Sequence, residues 1–126
     1  MQVRAVIDRY YECVNAGDWD GWLKLFDERY VMDEQLGGHL EGLHTLRAAV
    51  EGMKRAYSRF QNHPRYIVVQ GDQACVVSHL SATSASGEAI EAEVANYFCV
   101  QEGRITYLAN FHDSKPFAPI LGPQAR

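Results

Sequence analysis

Residues 88–113, EAIEAEVANYFCVQEGRITYLANFHD, decide the fold. Ile90, Ala92, Val94, Asn96, Phe98 and Val100 occupy alternate positions, with Glu91, Glu93, Tyr97 and Gln101 between them. Period two with one wet face is the pattern of a half-buried strand. Glu102-Gly103 is a turn, and residues 105–113 resume as another strand. Upstream, residues 66–70 and 74–84 read as strands parted by Gly71-Asp72, and Ser86-Gly87 reads as a hairpin turn. Strands joined by such short turns pair antiparallel and twist, so the second half of the chain is a curved sheet.

The first half has the helical period instead. Val3, Val6, Ile7, Tyr10, Tyr11 and Val14 form one stripe, and Asn15-Ala16-Gly17 ends it, with Gly17 suited to a left-handed cap. Asp18 is placed to cap a short second helix carrying Trp22, Leu25 and Phe26. A short strand over residues 30–34 runs into the turn Leu36-Gly37-Gly38. A third helix then carries Leu43, Leu46, Val50, Met53 and Tyr57 on one side, until His63-Pro64 breaks the pattern. Helices followed by strands predict an α+β fold: three N-terminal helices packed on a strongly curved mixed or antiparallel sheet that encloses a pocket. Residues 118–126 read as a Pro-rich tail after a domain spanning 1–117, with irregular structure expected beyond Ser114.

Composition narrows the function classes. The 126 residues fit one domain, and 47% hydrophobic content supports a core without disulfides or a metal. A net charge of -4 with no Lys/Arg run argues against a nucleic-acid partner. Cys13, Cys75 and Cys99 are an odd number at wide spacing in apolar segments, which predicts reduced core residues and no zinc site. His39, His44 and His63 flank turns or helix starts and read as surface residues. With no signal-peptide pattern and no apolar stretch of about 18 residues, the expected location is the cytoplasm, away from membranes.

Alternation nominates the pocket walls. The Ile90 row points inward and takes Asn96 with it. In the last strand the more apolar row is Ile105, Tyr107, Ala109, Phe111 and Asp113, which predicts Asp113 at the end of an inward row. A carboxylate on an apolar face has its charged form disfavoured, one way to prepare a general acid or base. The face of His79 is left open by its neighbours.

Arg9-Tyr10, Asn15-Ala16-Gly17-Asp18, Leu25-Phe26, Asp33-Glu34, Gly37-Gly38 and Glu41-Gly42 together resemble the ketosteroid isomerase and SnoaL-like polyketide cyclase group of the nuclear-transport-factor-two-like superfamily. Phe111-His112-Asp113 with Pro116-Phe117 resembles the last strand of SnoaL-like proteins. The resemblance runs from about Val3 to Phe117. It implies a cone-shaped α+β barrel, and a homodimer formed through the outer sheet face. It also implies Tyr10 as an oxyanion donor, Glu34 as base with Asp33 beside it, and Asn96 where isomerases carry a protonated aspartic acid as second donor. From the cyclases it implies Asp113 as the proton-abstracting base, with His79 or His112 in support. The substrate-binding walls expected with these are Trp22, Tyr57, Val94, Phe98, Tyr107 and Phe111. The function implied is a cofactor-free and metal-free cyclase, isomerase or dehydratase (a lyase) that removes a proton alpha to a carbonyl of a polyketide- or steroid-like compound. The alternative is a non-catalytic small-molecule-binding or dimeric interaction module of the same fold. An epoxide hydrolase fits less well, because the inward rows offer no arginine.

Overall fold

The computed structural model describes residues 2–121. Its order is α1 (Val3–Ala16), α2 (Trp19–Leu23), β1 (Phe26–Glu34), β2 (Gly38–Glu41), α3 (Leu43–Ala56), β3 (Tyr57–Gln70), β4 (Gln73–Ser84), β5 (Ala89–Gln101) and β6 (Arg104–Phe111). A single 3-10 turn (Lys115–Phe117) and α4 (Ala118–Leu121) follow. One six-stranded sheet has the order β2-β1-β6-β5-β4-β3. Its neighbours are antiparallel except β1 and β6, which run parallel, so the sheet is mixed. This is the α+β architecture expected, with helices on the inner face of the sheet.

Local signals set the helices. The α1 stripe buries Val6, Ile7, Tyr10, Tyr11, Cys13 and Val14 against the sheet. Gly17 closes the helix at φ 70°, and its N–H reaches the carbonyls of Cys13 and Val14. Asp18 Oδ1 accepts the Gly21 N–H at 2.9 Å and starts α2. That helix stops at Leu23, so Phe26 opens β1 and does not extend the helix. Behind α1 lies an aromatic cluster. Tyr10 meets Tyr11 edge-on with centroids 4.8 Å apart and Phe98 at 5.0 Å, and Trp22 meets Phe26 at 4.7 Å. Each such ring contributes about 1.5–3 kcal/mol by its burial.

Four expectations are corrected. β3 begins at Tyr57, directly after α3, and runs through Pro64. It can do so because it is the edge strand, with a register shift between Pro64 and Tyr66 where the missing N–H is tolerated. β2 pairs with β1 where only a turn was expected. The segment after Ser114 is ordered as two short turns of helix, and Phe117 is buried against Leu80, Ala82 and Ile90; residues 122–126 lie outside the described residues. Of the cysteines only Cys13 is core. Cys75 is exposed and Cys99 half-buried, because strand alternation sends both to the outer face with Tyr97. Among the described residues no helix is long and apolar enough to cross a membrane.

Candidate functional site

The curled sheet and the helices enclose a cavity of about 390 Å³. Its walls are mostly apolar, and a polar row crosses its sheet side on three adjacent strands. Asn96 of β5 pairs directly with Asn110 of β6. In the parallel register Asp33 stands beside Ala109, so Glu34 of β1 comes abreast of Asn110. Glu34, Asn110 and Asn96 all line the cavity, and so does His112 just beyond β6.

Each polar side chain has one side fixed and one side free. Glu34 Oε1 accepts the Leu36 N–H at 3.2 Å and, more closely, the Gly37 N–H. Asn110 Oδ1 accepts the Gln35 N–H at 2.9 Å, which leaves its amide N–H groups for a ligand. Asn96 is the reverse. Its Nδ2 donates to Ser78 Oγ at 3.0 Å and to the Val76 carbonyl at 3.1 Å, leaving Oδ1. Asn96 therefore presents an acceptor and not the oxyanion donor that the resemblance implied. His112 Nδ1 lies 2.8 Å from the Asp113 carbonyl, which can only accept, so Nδ1 carries the proton and Nε2 is the free nitrogen. The imidazole lies against Phe117, with centroids 4.6 Å apart.

Two tyrosines face this row. Burial pushes the Tyr10 phenol well above its ordinary pKa. The nearby Trp22 indole offsets part of the rise without closing a hydrogen bond, and the negative charge of Glu34 adds to it. Tyr57 is raised in the same way, first by burial and then by Glu34. Both hydroxyls therefore keep their protons and serve as donors.

The structure brings together six of the residues expected from sequence: Tyr10, Glu34, Asn96, Trp22, Tyr57 and Val94 line this one cavity. Phe98 is fully buried behind Tyr10 and forms part of the core rather than the wall. The remaining five are placed elsewhere. The cause for β6 is a bulge: Val100 pairs with Ile105 but Cys99 pairs with Tyr107, so Thr106 is an extra residue. Beyond it the faces exchange, and Leu108, Asn110 and His112 turn inward in place of Tyr107, Phe111 and Asp113. Phe111 is 59% exposed. Asp113 is exposed and accepts the Lys115 N–H at 2.9 Å, capping the turn that follows. Tyr107 donates to Asp33 Oδ2 at 2.6 Å on the outer face, where His39 also binds Asp33 at 2.7 Å. These two hydrogen bonds hold the Asp33 carboxyl below its usual range. His79 sits on the same face between Glu93 and Glu91, which raise its pKa. Asn110 and Asn62 were missed by sequence reasoning, and His112 was considered only as support. Among the described residues no cluster of three His, Cys, Asp or Glu side chains is placed to hold a metal ion.

Comparison with known proteins gives consistent results. The family description "SnoaL-like domain" matches residues 7–108. An NTF2-like protein of unknown function from Burkholderia pseudomallei K96243 superposes with a TM-score of 0.88 at 14% identity, over 98% of this chain and 100% of that one. TerC, crystallised with polyporic acid, gives 0.84 at 18% identity over 94% and 96%. A candidate polyketide cyclase from Pseudomonas putida KT2440 gives 0.81 at 21% identity over 97% and 99%. No curated protein sequence matches the chain.

Proposed function

The chain belongs to the SnoaL-like domain family, and we propose that it is an acid–base enzyme acting on a small, largely apolar carbonyl compound of the polyketide or steroid type. The observation that supports this best is the placement of one carboxylate, Glu34, in a mostly apolar cavity beside a row of amide and hydroxyl groups. Its Oε1 is fixed by the turn after β1, so Oε2 is the oxygen offered to a substrate C–H. In this reading Glu34 removes a proton alpha to the substrate carbonyl. Tyr10 O–H and the Asn110 amide then donate to the enolate oxygen. Such donors typically contribute about 10²–10³ in rate each. His112, with Nε2 free at the cavity wall, takes up and returns a proton elsewhere on the substrate. Where that proton returns decides between isomerisation, cyclisation and loss of water. The base is thus Glu34, and Asp113 has a capping role.

Proton abstraction is measurable without the natural substrate. Polycyclic beta-dicarbonyl compounds and aromatic ketones incubated in deuterium oxide should gain deuterium at the alpha carbon with the wild-type protein. Glu34→Gln should lose this exchange by about 10²-fold or more, and Asp113→Asn should keep it. Equal exchange by wild type and Glu34→Gln would exclude Glu34 as base. Compounds that bind tightly and never exchange would favour the second reading, a binding module, to which the anchoring of Glu34 Oε1 by backbone N–H groups also lends itself. We further propose a homodimer through the outer sheet face, supported by the exposure of Tyr66, Val68 and Phe111 there. Val68→Glu should shift the protein to monomer in sedimentation, and a monomeric wild type would end that proposal.

A further inference from the structure

The segment over residues 114–121 is part of the cavity wall but is fastened unlike the rest of it. Phe117 of the 3-10 turn and Ile120 of α4 line the cavity beside His112. The strands β5 and β6, which supply Asn96 and Asn110, are held by ladders on both sides. The terminal segment has no ladder. Its hydrogen bonds among the described residues stay within it and its first flanking residue. The Lys115 N–H reaches Asp113 Oδ1 at 2.9 Å, the Phe117 N–H reaches the Ser114 carbonyl at 3.0 Å, and the Ala118 N–H reaches the Lys115 carbonyl. One side chain supplies the attachment. Phe117 is 2% exposed and packs on Leu80, Ala82, Ile90, Ala92 and Val94, whereas Ile120 and Leu121 are only partly buried against that cluster. The same ring lies on the His112 imidazole. Asp113, Ser114 and Lys115 are exposed, and Pro116 and Pro119 stiffen the segment by fixing φ.

We propose that residues 114–121 are a strap over the cavity, latched by Phe117, that lifts to admit a ligand and on closing returns the His112 imidazole to its place. The inference rests on the cavity being a ligand site, as in the function proposed above, and adds how that site opens. A segment with no cross-bonds to the sheet, held by one buried ring, opens at a smaller free-energy cost than the strands beneath it. Lifting it takes Phe117 and Ile120 out of the wall and uncovers the apolar cluster below. It also takes the aromatic ring away from His112, which makes Phe117 a positioning residue for that imidazole. An apolar ligand in the cavity adds contact surface for Phe117 and Ile120, so it favours the closed state.

Hydrogen exchange read by mass spectrometry, together with the entry kinetics of the uncharged aromatic dye prodan, tests this without any chemistry on a substrate. The two tryptophans, Trp19 and Trp22, both line the cavity, so energy transfer from them reports dye inside it. In the wild type the amides of residues 114–121 should exchange about 10²-fold faster than those of β4 and β5, and should slow when dye is bound. Phe117→Ala should raise both the association and the dissociation rate of the dye about tenfold. Phe117→Leu, which keeps an apolar latch, should restore much of the difference. Nitrogen NMR shifts of the His112 imidazole should show the single Nδ1–H form in the wild type and a mixture of tautomers in Phe117→Ala, with Phe117→Leu between them. Thermal melts check that the variants fold, and the exchange measurement on the wild type decides the matter if they do not. Protection of residues 114–121 equal to that of β5, or dye rates unchanged in Phe117→Ala, would overturn the strap. A single His112 tautomer in Phe117→Ala would remove the positioning role. Gated dye entry without deuterium uptake at an alpha carbon would keep the strap and remove the enzyme reading. Ungated entry with that uptake intact would leave Glu34 as base and end the strap.

Discussion

Glu34 keeps its place because a backbone turn closes on one of its oxygens. Gly37 makes that closure possible: a Cβ built on Gly37 would stand 2.9 Å from Glu34 Oε1, and the carboxylate would have to move. If Glu34 is the base, as proposed, Gly37→Ala should slow the exchange reaction about tenfold or more by misplacing its carboxylate, with a stability change within about 0.5 kcal/mol because the turn is exposed. Rates and melting curves on the same preparation separate the two effects. Asn96 should behave in the opposite way. Its amide satisfies the Val76 carbonyl and Ser78 Oγ inside the core, so Asn96→Leu should cost about 1–3 kcal/mol in denaturant titration. At this scale the sequence reveals which side chains are unusual for their surroundings, such as Asn96 on an apolar row. It does not reveal which end of an amide faces the ligand, because that depends on partners from other strands.

Whole elements show why part of the site was legible and part was not. The alternation of β5 is unbroken, and its inward set was readable from residues 90–100 alone. β6 has the same look, but the extra residue at Thr106 exchanges its faces halfway along. Nothing in Ile105-Thr106-Tyr107 distinguishes a bulge from plain strand, so the error carried through to Asp113. β3 was misread for a related reason. Proline disqualifies a central strand but not an edge strand, and edge position is a property of the assembled sheet. The joint between α1 and β3 depends on Asn15, which bonds both backbone groups of Asn62. Asn15→Ala should lower stability by about 1–3 kcal/mol in urea unfolding.

Taken as a whole, the molecule separates a mostly apolar interior from an outer sheet face that carries its titratable clusters. There His79 is held between Glu91 and Glu93, with Arg65 on Glu93 and Ser81 on Glu91, and His39 is held between Asp33 and Glu41, with Tyr107 on Asp33. The carboxylates raise both histidines. Their stabilisation is complete below the ordinary histidine value of 6.5 and is lost as pH rises through the higher folded values. Glu91, Glu93 and Asp33 are lowered in return, so their contribution is complete above the ordinary value for Glu, 4.5, and is lost as pH falls through the folded values. Melting temperature should thus be highest between about pH 5 and 6.5. The double variant His39→Gln, His79→Gln should melt lower in that window and approach the wild type near about pH 9.

The parallel pairing of β1 with β6 has a consequence of another kind, for the order of assembly. Gln35 and Asn110 meet across 75 residues of chain, while the hairpins β3–β4–β5–β6 join neighbours in sequence. Local hairpins close quickly, and a contact of this separation carries a larger loop entropy. The row Glu34, Asn110, Asn96 exists only once that last seam is sealed. During refolding, the proposed deuterium exchange at this row should therefore lag behind the recovery of β-sheet signal and report on the final step of assembly.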